Sequence, residues 1–508
     1  MDSQYDFVYN HFSYLYWIGL ATLFVSFFVV AMKTENNSLR LAMAISTVFL
    51  IFSQAYFYYM IPGSDVNQFR GLTENFISTG KLSGSNPHQA YDQWPLFFIL
   101  NKIITSITGL ELRFIEFALY GVICSVITSL IYLQVARVKS NAYAAVIIFF
   151  IILIPLSIFE FWSAFAFSLC LVLSLLYLDK WSGKPEVLLA TIVIFVSLTL
   201  VHVLVPLFFV SYLLVMFFLK KNRKYLILFV TTLTIYTLVL SQNVMFGDYI
   251  RLLGHLADPY LQDISSRIAG AASSIAPPPY IDVIAQSLSR IAVIATALMA
   301  GLGFIIVLKR KKLKKQDYAL LLIGAMFTVG LLISPEAYRE LSSRAFFLIG
   351  IPVSVGASYL IESKLRKYLK PILLVLLVLF SFNLMHQTFY DRQTFFQTKS
   401  EYQCANFMIN SINWADPASV YSHYRVMQYL MPKSSGDVVR FGDDFSEKFP
   451  EDTMDYDYVV YTIGIAKSYL GANYSVDDSL SNFEVNHFNL LYNSGQFSCI
   501  FQNNRARK

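Results

Sequence analysis

The sequence predicts a polytopic α-helical membrane protein of about 12 spans that ends in a small soluble domain, and three observations carry that prediction. Only 14% of the 508 residues are charged, while 56% are hydrophobic and 16% aromatic; a soluble domain carries charge on about 25% of its positions. Apolar runs near the length of a span, about 20 residues, recur until His386, where the composition becomes that of an ordinary soluble domain. Lysine and arginine crowd into alternate loops between those runs.

Taken in order, the apolar windows fall at 14–32, 41–61, 114–135, 141–158, 161–178, 187–201, 203–219, 225–243, 291–308, 318–333, 345–361 and 371–385. The stretches 141–178 and 187–219 can each also be read as one hairpin broken at a polar residue, Glu160 or His202. The N-terminal "MDSQYDFVYNHF" lacks the basic segment of a cleavable signal, so the first span is expected to be the membrane signal.

The loops on one side, including "KKNRK" (Lys220 to Lys224) and "KRKKLKK" (Lys309 to Lys315), hold 20 lysines and arginines, against 9 in the far longer loops opposite. By the positive-inside rule the crowded side is cytoplasmic. The formal charge of +6 is thus a property of juxtamembrane clusters, and no nucleic-acid partner is expected. The expected organisation is a membrane domain over 1–385, with external loops 62–113, 244–290 and 334–344, then an external soluble domain over 386–508. Both termini lie outside, and the expected location is the plasma membrane.

Two helices lying in the interface are predicted in the first external loop. In the stretch "GSDVNQFRGLTENFISTGKL", Phe69, Leu72 and Phe76 recur at helical spacing and Gly80 stands where a C-cap glycine belongs. Further on, Leu96, Phe97, Ile99, Leu100, Ile103, Ile104 and Ile107 form an apolar stripe opposite Asn101, Lys102, Thr105 and Ser106. The 244–290 loop reads as helix followed by the rigid "PPP" at 277–279. The tail combines a helix near Glu401 to Ile412 with strand-like runs such as "DYVVYTIGI" and "FSCIFQ", an α/β or α+β pattern, and Asn473 heads a glycosylation sequon.

Candidate chemistry gathers at the external ends of spans. Asp65, just beyond a long apolar run, can act as a general base on a hydroxyl held against it, or simply cap the helix that follows. Glu74 lies nine residues on, half a turn away on one helix at about 100° per residue, so the two carboxylates do not share a face and no metal site is expected. Asp92, beside Trp94-Pro95, reads as a second acid or as a turn residue. Arg344, with Arg339 before it, suits a lipid-linked phosphate because its fork bonds two oxygens; the alternative is an arginine snorkelling to headgroups. Arg251, His255 and Asp258 are weaker candidates, and His202 is a polar residue in a membrane, hence either functional or bonded to a neighbouring helix. Cys124 and Cys170 fall inside apolar runs, leaving Cys404 and Cys499 as the pair for an external disulfide.

Four places in the chain resemble the GT-C superfamily of glycosyltransferases. They are Asp65 after an early span with a helix ending "ISTGKL", then "YDQWPLFFILNKIITSITGL" leading through "ELRFIEF", then "SSRAFFLIGIP", and last an external domain closing with "NLLYNSGQFSCIFQN". The resemblance implies an inverting transferase that moves one sugar, mannose or another hexose, from a dolichyl- or polyprenyl-phosphate carrier to an external glycan or lipid-linked acceptor. It implies Asp65 as catalytic base, Arg344 as a contact of the lipid phosphate, and no cofactor. The chain departs from the family's pattern in an extra early span and in the lack of an Asp-x-Asp or adjacent Asp-Glu pair, which argues against a metal-dependent oligosaccharide transferase. The rival readings are an envelope glycan polymerase or ligase and a secondary transporter; the latter should show internal repeats, and none is visible.

Overall fold

The computed structural model describes residues 14–33, 64–80, 94–135, 163–179, 184–202, 205–241, 314–333, 350–356, 399–411, 420–422, 439–441, 457–462, 488–493 and 498–503, with scattered positions in 36–46, 291–309 and 359–360. These residues are mostly helical, and they belong to two units. One comprises Met1–Ser53 with Leu119–Tyr390, the other Gln54–Ala118 with Asp391–Lys508.

The first unit holds α1 (Tyr14–Lys33), most of α4 (Leu112–Val135), α5 (Ala164–Leu178), α6 (Pro185–Thr199), α7 (Val205–Lys220), α8 (Arg223–Ser241) and α9 (Lys315–Ile333). Helix α7 is its centre, packing on α5, α6, α8 and α9. It is apolar all round, with Val205, Phe208, Phe209, Tyr212, Leu213 and Met216 buried, as a helix surrounded by others must be. Its end is made locally: Lys221 adopts the left-handed conformation at φ 50° and returns its N–H to the Phe217 carbonyl at 2.7 Å. Asn222 then caps α8, its side-chain oxygen accepting from the Lys224 N–H at 3.0 Å. Ser163 does the same for α5, accepting from the Ala166 N–H at 3.1 Å.

The helices of this unit stay apolar on their outer surfaces. Leu15 and Ile18 of α1, Leu189 and Val193 of α6, and Ile227, Val230 and Leu238 of α8 are all exposed. Such a density of outward aliphatic side chains marks a surface made for an apolar surrounding or a partner. Backbones also approach closely, for a Cβ placed on Gly303 would fall 2.0 Å from the Gly356 carbonyl oxygen, the small-residue packing typical of membrane helices. By length and apolarity, one helix among the described residues, Leu112–Gln134, is able to cross a membrane, beside shorter apolar helices that include α5, α6 and α7. That is one crossing-length helix where the sequence predicts about 12 spans, so the higher count rests on sequence alone. Around His202 the chain does form two helices, α6 and α7.

In the second unit, α2 (Ser64–Thr79) packs on α3 (Leu96–Thr108). The tail contributes α10 (Lys399–Ser411) and the strands β1 (Val420–Ser422), β2 (Val439–Phe441), β3 (Tyr458–Thr462), β4 (Phe488–Asn493) and β5 (Ser498–Asn503). The five form one mixed sheet in the order β2-β1-β3-β5-β4, parallel across β2, β1 and β3 and antiparallel through β5 to β4. Cys404, Ala405 and Met408 of α10 bury against Val420, Val460 and Ile500 of the sheet. Among the described residues the tail is thus one helix packed on one mixed sheet.

Candidate functional site

Helix α2 is unbroken from Ser64 to Thr79, and Gly80 ends it at φ 74°, its N–H bonded to the Phe76 carbonyl at 3.0 Å. Asp65 therefore sits in the first helical turn, where the helix dipole favours a carboxylate. Position 65 shares a face with positions 69, 72 and 76, and position 74 lies on the opposite one, by the 100° rotation per residue. The side chain of Asp65 lies outside those described. Phe69 and Leu72 are buried, and Phe69 meets Phe97 and Phe98 of α3 at ring separations of 5.7 and 6.2 Å. Lys102 of α3 closes the hairpin, donating to the Phe76 carbonyl at 3.1 Å while its ammonium stands 4.6 Å from that ring. Phe97, Phe98 and Asn101 are buried in this contact while Ile103 and Ile107 face outward. The polar side of α3 thus points at protein, and its isoleucine side is the free one.

Two buried charges of this unit, on different helices, meet. Arg70 of α2 and Glu116, at the start of α4, are 1% and 5% exposed and form an ion pair. Arg70 Nε donates to Glu116 Oε2 at 3.0 Å, and Nη2 donates to the same oxygen. A buried carboxylate or guanidinium without its partner would cost several kcal/mol, so the two are mutually required. The pair locks α2, and with it the turn that carries Asp65, to the first turns of α4. Arg70 is five residues from Asp65, about 140° around the helix, so it serves Glu116 and a different face. The signal was available: Glu116 interrupts an apolar run, and a lone acid there needs a cation.

Of the other expected site residues, Asp92, Arg251, Arg339 and Arg344 lie outside the described residues. His202 is described and is buried in the turn between α6 and α7, its ring 5.3 Å from Phe165 in an edge-to-face contact and its backbone N–H bonded to the Leu198 carbonyl at 3.1 Å. Cys404 is fully buried on α10 beside Ile500; Cys499 lies on β5 opposite Tyr461 and Asn493, with its side chain outside those described, so the Cys404 to Cys499 pairing falls there too. Among the described residues no group of three acidic, histidine or cysteine side chains could hold a metal ion.

A second polar centre lies in the first unit. Asp179 caps the C-terminus of α5 and is buried. Its carboxylate accepts from Tyr212 of α7 at 2.7 Å, from Tyr225 of α8 at 2.9 Å and from Gln316 of α9 at 2.6 Å. Lys220 in turn donates to the Tyr225 hydroxyl at 2.6 Å. Asp317, which follows Gln316 in α9, accepts from Tyr359. A carboxylate is unfavourable at the negative end of a helix, and three donors from three helices offset that cost.

No protein-family model matches this chain, and no curated protein matches it either.

Proposed function

We propose that the chain is a multi-pass membrane glycosyltransferase of GT-C type with about 12 spans, moving one hexose from a dolichyl- or polyprenyl-phosphate donor to an external glycan or lipid-linked acceptor. The observation that carries this reading is the α2–α3 hairpin, which begins with Asp65 in its first turn, buries its aromatic side and leaves Ile103 and Ile107 outward. A hairpin of that kind can lie at a bilayer surface and hold an acid where a lipid-borne sugar would pass. The outward aliphatic side chains of α1, α6 and α8 support the membrane setting.

In the proposed reaction Asp65 takes the proton of the acceptor hydroxyl as its oxygen attacks the anomeric carbon. The bond from that carbon to the phosphate oxygen breaks, its electron pair leaves with the lipid phosphate, and the configuration inverts. Phosphate is a good enough leaving group to need no acid. Arg344 is the residue the resemblance gives to the phosphate, whose charge a guanidinium matches.

The test is transfer from a labelled polyprenyl-phosphate hexose by purified protein in a bilayer. Asp65→Asn should lower the rate by about 10² to 10⁴-fold with insertion and helix content unchanged; a variant as active as wild type removes Asp65 from the role. Arg344→Ala should raise the apparent dissociation constant of the donor while leaving that of the acceptor as it was.

A further inference from the structure

The Asp179 centre has a cationic rim that no step of the proposed reaction uses. Tyr225 is buried and bonded to Asp179, so its ring is fixed. On that ring stand two ammonium groups, Lys220 at 4.8 Å and Lys224 at 5.1 Å from the centroid. Lys220 is also bonded to the phenol oxygen. A lysine ordinarily swings freely on four carbons; here a hydrogen bond and a pair of cation–π contacts hold both heads in place. The turn between them adds Lys221 and Arg223, both exposed. The turn thus carries four positive charges beside a centre with one buried negative charge, a local excess of cation. Flanking the turn on the lipid-type surface, Phe218 of α7 and Ile227 of α8 are exposed at 66% and 62%. Burial pushes the Lys224 ammonium below its usual range, Asp179 pulls it back and Lys220 adds to the fall, so a nearby anion would be welcome there.

We infer that Lys220 and Lys224, held on the Tyr225 ring at the α7–α8 turn, form a binding site for the phosphodiester headgroup of an anionic phospholipid, with Phe218 and Ile227 against its acyl chains. Charge selects the headgroup and the adjacent apolar side chains select a lipid over a free phosphate. The basic loops place this site on the cytoplasmic leaflet. The inference rests on the multi-pass reading and is independent of the chemistry assigned to Asp65.

The experiment uses the full chain in nanodiscs of phosphatidylcholine doped with phosphatidylglycerol, measuring the anionic lipid that co-purifies with the protein. Wild type should enrich phosphatidylglycerol. Lys220→Gln with Lys224→Gln should lower its affinity about 25-fold, about fivefold per lysine, and Tyr225→Phe, which frees Lys220 from its anchor, should lower it less. Removing the same charge from the exposed lysines at Lys184 and Lys309 should change it little; an equal loss there means diffuse attraction and overturns the site. If the half-buried pair does not tolerate substitution, Lys221→Gln with Arg223→Gln tests the same turn from its exposed side, and an affinity matching wild type overturns it. Displacement by glycerol phosphate without acyl chains would overturn the lipid assignment. A protein that enters no disc at all fails the membrane reading, whereas one that enters and shows no anionic preference fails this inference.

Discussion

Glu116 and Asp179 are both buried carboxylates, but they are held in opposite ways. Glu116 answers to one partner, the guanidinium of Arg70, through two bonds to a single oxygen. Asp179 spreads its charge over two phenols and an amide from three helices, with the Lys220 ammonium one hydroxyl away. The first is a rivet between α2 and the start of α4. The second joins the C-terminus of α5 and the starts of α8 and α9 to the middle of α7 at Tyr212, and no single donor carries it. An ion pair concentrates the dependence on two side chains, whereas a network of neutral donors shares it.

The sharpest way to break that contrast is to remove one partner from each. Glu116→Ala should destabilise the protein by about 3 to 5 kcal/mol, because it strands Arg70 in the interior. Detergent unfolding followed by helix content reads this loss. The double change Arg70→Met with Glu116→Leu should recover most of it, since an apolar pair of similar volume leaves no buried charge. If the single variant were neutral, the ion pair would not be a lock at all. Asp179→Asn keeps an acceptor oxygen and shape, so its cost should be smaller, about 1 to 3 kcal/mol for imperfect pairing. A loss as large as that of Glu116→Ala would mean the charge of Asp179, rather than its hydrogen bonds, holds the helix ends.

How much of this was legible in the sequence follows from what periodicity can see. The stripe of Phe69, Leu72 and Phe76 and its stop at Gly80 are local patterns, and the helix ends there, as expected. The helix at Leu96–Thr108 was equally readable, but Asn101 of its polar side is buried and Lys102 finds a partner on α2; a stripe reveals amphipathicity and leaves open which side meets the protein. Arg70 and Glu116 stand 46 positions apart, and Asp179 and Gln316 stand 137 apart. Nothing in a window of 20 residues connects such pairs. Their only trace is a charge in or beside an apolar run, which says that a partner exists without saying where. Asp65, by contrast, is a candidate by its place just beyond an apolar run, strengthened by resemblance, and the fold adds that it occupies the first turn of a helix fixed at Phe69 and Arg70.

The smallest effect distinguishes the two centres by pH. At Lys224 burial lowers the affinity for a proton in the folded chain, with Asp179 opposing and Lys220 reinforcing that shift. The unfolded chain therefore holds this proton to higher pH, up to the ordinary lysine value of about 10.4. Between the folded value and that limit the unfolded state binds more protons, so stability should rise with pH across this window and not below it. Lys224→Met should flatten the rise while leaving the Asp179 bonds to Tyr212 and Gln316 in place. The Arg70–Glu116 rivet has no group of this kind, and Glu116→Gln should leave the alkaline rise intact. A slope that survived Lys224→Met would assign it to another lysine and separate the Asp179 centre from the charge balance around Tyr225.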